Sequence, residues 1–127
     1  MLCVPAPGQG IIAIEMRESD ERVRRWAARI TDAHAADALA AERSLVEALG
    51  GGCQTPIGAL ASAGTTGSLD LVAAVVTPDG RRMLRASGQA PVGEAAALGQ
   101  RVAAELLGEG ASDILEEARR VQAAQGI

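Results

Sequence analysis

The stretch Leu49-Gly50-Gly51-Gly52-Cys53-Gln54-Thr55-Pro56-Ile57-Gly58 divides the chain into two kinds of periodicity. Before it, apolar residues recur at helical spacing; after it they alternate, as on a strand buried on one face. Three successive glycines would weaken either element by their conformational freedom. The chain therefore breaks here, and Pro56 and Gly58 restrict it just beyond. The break presents one thiol, Cys53, on nearly bare backbone. A cysteine so placed is either a small buried hydrophobe after a helix cap or an attachment point for a group too bulky for a crowded backbone. One glycine would suffice for the cap, which counts against the first reading. Local chemistry leaves both open.

The elements on either side must form a core almost without aromatic rings. There is no Phe or Tyr, and Trp26 is the one aromatic residue. A chain of 127 residues, 48% of them apolar, suits a single domain that buries roughly two-thirds of its unfolded surface. Ala, Leu, Val and Ile must fill its interior, which favours close-packed helices on a small sheet over a large ligand-lined cavity.

Taken in order, residues 3–10 hold two prolines and two glycines and preclude regular structure. They leave Gln9 flanked by backbone that a ligand can approach closely. Residues 11–16 look like a short strand that lacks a local partner. Ser19 or Asp20 caps a predicted helix over 21–30, with Val23, Trp26, Ala27 and Ile30 on one stripe. Thr31 or Asp32 caps a second over 33–49, with Leu39, Val46 and Leu49 on one face and Gly50 as its C-cap. Ile57, Ala59 and Ala61 then alternate, 69–76 is a nearly continuous apolar run, and Thr77-Pro78-Asp79-Gly80 is a hairpin turn. Residues 81–87 return with Met83 inward and the arginines outward. A third helix opens at 91–93, and Ser112 caps a fourth. The layout predicts an α+β fold: a three-stranded antiparallel meander with helices packed on one face, plus a leader strand at the N-terminus.

Several chemistries are excluded. The formal charge is −4, from 16 acidic residues against 12 basic ones. With no basic stripe and almost no rings to stack on bases, nucleic-acid binding is not expected. Every base is arginine, so an anion site would use planar bidentate guanidinium groups. No apolar run approaches the ~18 residues of a membrane span. Cys3 and Cys53 are too few for a disulfide framework, and no secretory pattern precedes them, so a soluble, cytoplasmic protein with free thiols is expected. His34 is the sole histidine, which leaves no Cys–His pair and no metal cluster. The glycine run follows a helix instead of opening one and lacks a following Lys-Ser/Thr, so it is no phosphate loop.

Two signatures carry a resemblance. Pro5-Ala6-Pro7-Gly8-Gln9-Gly10 runs into a strand-like segment and Glu15-Met16-Arg17. Ala41-Glu42-Arg43 is followed by the Leu49–Ala59 stretch with its Gly-Gly-Cys and Pro-Ile-Gly. In this order and separation the chain resembles the hydroxymethylbilane synthase (porphobilinogen deaminase) family. The resemblance implies a function in tetrapyrrole (heme) biosynthesis. Family members join four porphobilinogen units head to tail, with release of ammonia, into hydroxymethylbilane. It also implies a dipyrromethane cofactor, held by a thioether to Cys53, with Gln9 and Gly10 in a loop near that primer or the substrate. Arg17 and Arg43 match family positions that are structural or face carboxylates.

Family members are much longer and have three domains. Their catalytic aspartate lies in the N-terminal domain, and the arginine clamps are shared with the second. On the resemblance, residues 1–17 correspond to a return strand of the N-terminal domain and 19–127 to the C-terminal, cofactor-attachment domain. No catalytic residue is assigned in this chain, which is expected to be inert alone, as a truncated reading frame or an excised domain. Its substrate partners, porphobilinogen and pyrrole intermediates, would act through the other domains. A free-standing tetrapyrrole-binding module and an inert remnant with a free thiol are the alternatives. The leader strand is expected to fray, pair with the meander, or pair with a second copy.

Overall fold

The computed structural model describes residues 3–52 and 54–126. Four helices and a three-stranded antiparallel sheet in the order β1-β2-β3 make the α+β fold that the periodicity predicts. The helices are α1 (Glu21–Ile30), α2 (Ala33–Ala48), α3 (Ala95–Gly108) and α4 (Ala111–Ala124); the strands are β1 (Ile57–Ala63), β2 (Ser68–Val76) and β3 (Met83–Pro91).

Local chemistry sets most of the boundaries. Asp20 and Asp32 each accept a hydrogen bond from the backbone three residues on, at 3.0 and 2.9 Å, and so cap α1 and α2. At the other end of α2, Gly50 takes φ +65. The Gly50 N–H donates to the Glu47 carbonyl and the Gly51 N–H to the Val46 carbonyl, both at 2.9 Å. That pair of bonds is the Schellman ending, which favours glycine at the left-handed position. The fourth helix departs from expectation: Gly110, at φ +98 and with no side-chain cap, precedes Ala111, so Ser112 is already inside the helix.

The core lies between one face of the sheet and α2, α3 and α4. Ile57, Ala59 and Ala61 of β1 and Leu69, Leu71, Ala73 and Val75 of β2 point into it. Leu45, Leu98, Leu106, Ile114 and Leu115 meet them from the helices. The interior is aliphatic, as the lack of rings requires. Helix α1 has the predicted stripe but buries none of it: Trp26 is 61% exposed and Ile30 70% exposed. Arg29 lies over the Trp26 ring, 4.9 Å from its centroid.

Two strand expectations are corrected. Met83 faces outward, 56% exposed, because β3 begins at Met83 paired with Val76 and turns Ala86 and Ala90 inward. The longer connection explains the shift: Thr77 N donates to the Arg82 carbonyl at 2.9 Å, and Arg82 N donates back to Thr77 Oγ1 at 3.0 Å. Residues 11–16 form no strand. The leader meets the open edge of β1 only before them, where Ala59 N donates to the Pro5 carbonyl at 2.9 Å. Successive turns at Gly8 and Gly10, with φ +73 and +85, then carry the chain off that edge. Ile12 and Ile14 remain exposed, at 90% and 57%.

Asp79 organises the hairpin turn. Its carboxylate accepts from Thr77 Oγ1 at 2.6 Å and from Arg81 N at 3.0 Å. Chiefly the Thr77 hydroxyl, and then the Arg81 amide, hold its pKa below the ordinary 3.8. A carboxylate whose pKa is lowered on folding adds stability above its unfolded pKa and loses it as pH falls through the folded value. Asp79→Asn should therefore flatten the acid limb of a urea-midpoint-against-pH curve and leave the neutral region's slope unchanged.

Candidate functional site

The two loops that carry the sequence signatures lie side by side. A cleft of about 700 Å³ separates them, walled by Pro7 and Gly8 of the leader, Leu39 and Val46 of α2, and Gly51 and Gly52 of the glycine run. Arg43 and Glu47, one helical turn apart, add a guanidinium and a carboxylate to this apolar lining. The cleft lies outside the aliphatic core, on the side of α2 that faces the leader. Leu39 and Val46 line the cleft, Val46 also packing against the core, while Ala41, Leu45 and Leu49 fill it.

Glu42 builds the cleft wall. It is 4% exposed, and its carboxylate takes one backbone N–H from each side: Gly8 N at 2.6 Å and Ala61 N at 2.8 Å. One side chain thus ties the leader loop, α2 and β1 together. Sequence reasoning noted Glu42 only as part of a motif, and a glutamate in an alanine-rich helix looks solvated. Its one local signal is that position 42 shares the face of Leu45 and Leu49.

The three glycines have three different reasons. Gly50 supplies the left-handed cap. At Gly51 a β-carbon would lie 2.6 Å from Ile57 Cδ1 and 3.0 Å from Thr55 Oγ1, so any side chain there would have to displace these neighbours. At Gly52 a β-carbon would meet nothing within 4 Å among the described residues, so the backbone beside position 53 is open. Thr55 closes the following turn: its N–H and its hydroxyl both donate to the Gly52 carbonyl, at 3.1 and 2.6 Å. Cys53 itself lies outside the described residues. Gln9 and Gly10 are exposed, and the Gln9 side chain accepts from Ala6 N at 3.2 Å; of that loop, Ala6, Pro7 and Gly8 line the cleft. Arg17 and His34 are exposed away from it. Among the described residues, no group of three or more His, Cys, Asp or Glu could hold a metal ion, and no helix is long and apolar enough to cross a membrane.

The fit to a bulky, carboxylate-bearing group is good. The lining is mostly apolar, Arg43 offers a bidentate partner for a carboxylate, and Gly52 leaves clearance.

Comparison with known proteins points to the same stretch. Residues 36–108 match the family described as porphobilinogen deaminase, C-terminal domain. The porphobilinogen deaminase of Brevibacillus brevis is 43% identical over 121 residues, covering 94% of this chain and 38% of that protein. Those of Ralstonia nicotianae and Acidithiobacillus ferrooxidans are each 45% identical, over 115 and 118 residues. The chain spans less than two-fifths of the length of these curated relatives. A family match across more than half of the chain, from α2 through the sheet to the end of α3, means that the chain belongs to the porphobilinogen deaminase family and carries its C-terminal domain.

Proposed function

We propose that this chain is the primer-bearing part of a hydroxymethylbilane synthase, with Cys53 as the thioether anchor of a dipyrromethane. The observation that carries this reading is the cleft between the leader loop and the glycine run, with nothing among the described residues within 4 Å of where a β-carbon on Gly52, immediately before the thiol in sequence, would sit. The walls at Leu39, Val46 and Gly8 would hold the apolar faces of the pyrrole rings, and Arg43 would pair with an acetate or propionate group. Gln9 and Gly10 belong to the loop beside the primer. When attached, the primer supplies the end on which further porphobilinogen units are joined. The chain's own residues anchor that primer and orient it. The acid/base aspartate and most of the arginine clamp belong, in the family, to segments outside the portion matched here. The isolated chain therefore holds a primer but does not polymerise.

Substituting this chain for the corresponding segment of a related porphobilinogen deaminase tests the assignment. The chimera should gain the mass of a dipyrromethane and colour with Ehrlich's reagent. Cys53→Ser should abolish both, and Cys3→Ser neither. Retention of the added mass in the Cys53→Ser chimera would remove Cys53 as the anchor. Consumption of porphobilinogen by the isolated chain would overturn the claim that it does not polymerise.

A further inference from the structure

The described residues on either side of Cys53, 50–52 and 54–55, are held from α4 as well as by local bonds. The Arg119 guanidinium donates to the Gly50 carbonyl at 3.0 Å, and the Gln122 amide donates to the Gln54 carbonyl. Both donors stand on α4, at i and i+3 on one face. Their acceptors bracket Cys53 in sequence, from 69 and 68 residues away along the chain. A second cleft of about 470 Å³, lined in part by Gln54, Pro56, Pro78, Ala118 and Val121, separates the turn from α4. Two polar side chains span the gap. The residues on either side of Cys53 are also restrained by the helix ending at Gly50 and Gly51, by the Thr55 bonds to Gly52, and by Val76 N donating to the Pro56 carbonyl at 3.2 Å. Arg119 and Gln122 add a restraint from α4.

We propose that Arg119 and Gln122 are positioning residues for the Cys53 tether. They act through the backbone, holding the carbonyls on either side of the thiol so that the attached group enters the cleft from a fixed point. Long donors across a gap suit this role, because they hold the carbonyls of residues 50 and 54 from a distance. The assignment rests on the tether reading of Cys53.

The test uses the full chain carrying Cys3→Ser, so that Cys53 is the only thiol. Amide exchange of residues 50–55 and the rate of Cys53 alkylation by iodoacetamide are compared in the parent and in Arg119→Ala/Gln122→Ala. Exchange should quicken by about tenfold, the scale set by losing hydrogen bonds of ordinary strength, and alkylation should change several-fold. Exchange in β2 should stay as in the parent. Arg119→Lys keeps a donor and should return both values most of the way. If the double variant does not fold, Gln122→Glu removes the donor isosterically and should show the same local effect in smaller measure. Unchanged exchange and alkylation in a folded double variant would overturn the proposal, as would acceleration spread equally through the sheet. Amide exchange reports on the turn whether or not a primer is attached, so this outcome is separable from failure of Cys53 as the anchor.

Discussion

Replacing Glu42 by alanine should cost about 3 kcal/mol of folding stability, since two hydrogen bonds to a charged acceptor are lost and a buried N–H is left without a partner. For a domain of this size that corresponds to a fall of roughly 10 °C in thermal midpoint. The carboxylate is 4% exposed and divides its oxygens between Gly8 N and Ala61 N. Glu42→Gln should fall between parent and alanine, because its amide can offer an oxygen to only one of the two donors and turns an NH2 toward the other. The loss has a local part with functional weight. Gly8 forms one wall of the cleft, and without Glu42 the leader keeps, among the described residues, the bond from Ala59 N to the Pro5 carbonyl and the packing of Val4 on Gly58. Amide exchange should accelerate in residues 6–11 more than in β1. A stability loss under 1 kcal/mol for Glu42→Ala would mean that the leader is held by something other than this carboxylate.

The elements that sequence reasoning placed well are those whose signals are local. Asp20 and Asp32 cap their helices through their own side chains, Gly50 ends α2 by its own backbone conformation, and β1 alternates residue by residue. The misplacements share a different cause, since each depended on what lay across the fold. Met83 looked like the inward residue of its strand because it is the largest apolar side chain there. The inward positions of β3 include Ala86, Gly88 and Ala90, small because α3 packs closely, with Leu98 and Val102 side-chain atoms 3.0 Å from where a β-carbon on Gly88 would sit. Residues 11–16 have strand composition, but no strand forms without a partner edge. The stripe of α1 is correctly periodic and remains exposed, because periodicity says which residues share a face and not what covers it.

The site divides along the same line. Its two walls were legible as motifs, because glycine and proline clusters mark backbone that bends or is closely approached. That they enclose one cleft was not, because the link between them is a buried glutamate 34 residues from the leader glycine it holds. The brace from α4 was still less legible: Arg119 and Gln122 look like solvated positions on a surface helix, and their long side chains become specific only where two carbonyls lie within reach.

The same substitution at two glycines of α3 should have opposite signs. At Gly99 a β-carbon would stand 2.3 Å from the Ala41 carbonyl oxygen, 2.8 Å from Leu45 N and 2.9 Å from Ser44 Cβ. Two of those neighbours are backbone of α2, which has no rotamer by which to yield. The helices cross at this point closely enough for Ser44 Oγ to donate to the Ala96 carbonyl at 2.8 Å. Gly99→Ala must push α3 off α2, break that bond and open the packing around Leu45 and Leu98. Overpacking of this kind costs about 3 kcal/mol, against which the better helix propensity of alanine returns about 1 kcal/mol. Gly108 lies in the last turn of the same helix, where a β-carbon would meet nothing within 4 Å among the described residues. Gly108→Ala should gain up to about 1 kcal/mol by limiting the unfolded chain. Urea unfolding of both variants checks the pair: midpoints that move in the same direction would show that propensity rather than the α2–α3 contact governs these positions. Because α2 carries Glu42, Arg43 and the glycine run, displacing α3 at Gly99 should also disturb exchange around Gly50–Gly52, an effect that Gly108→Ala should lack.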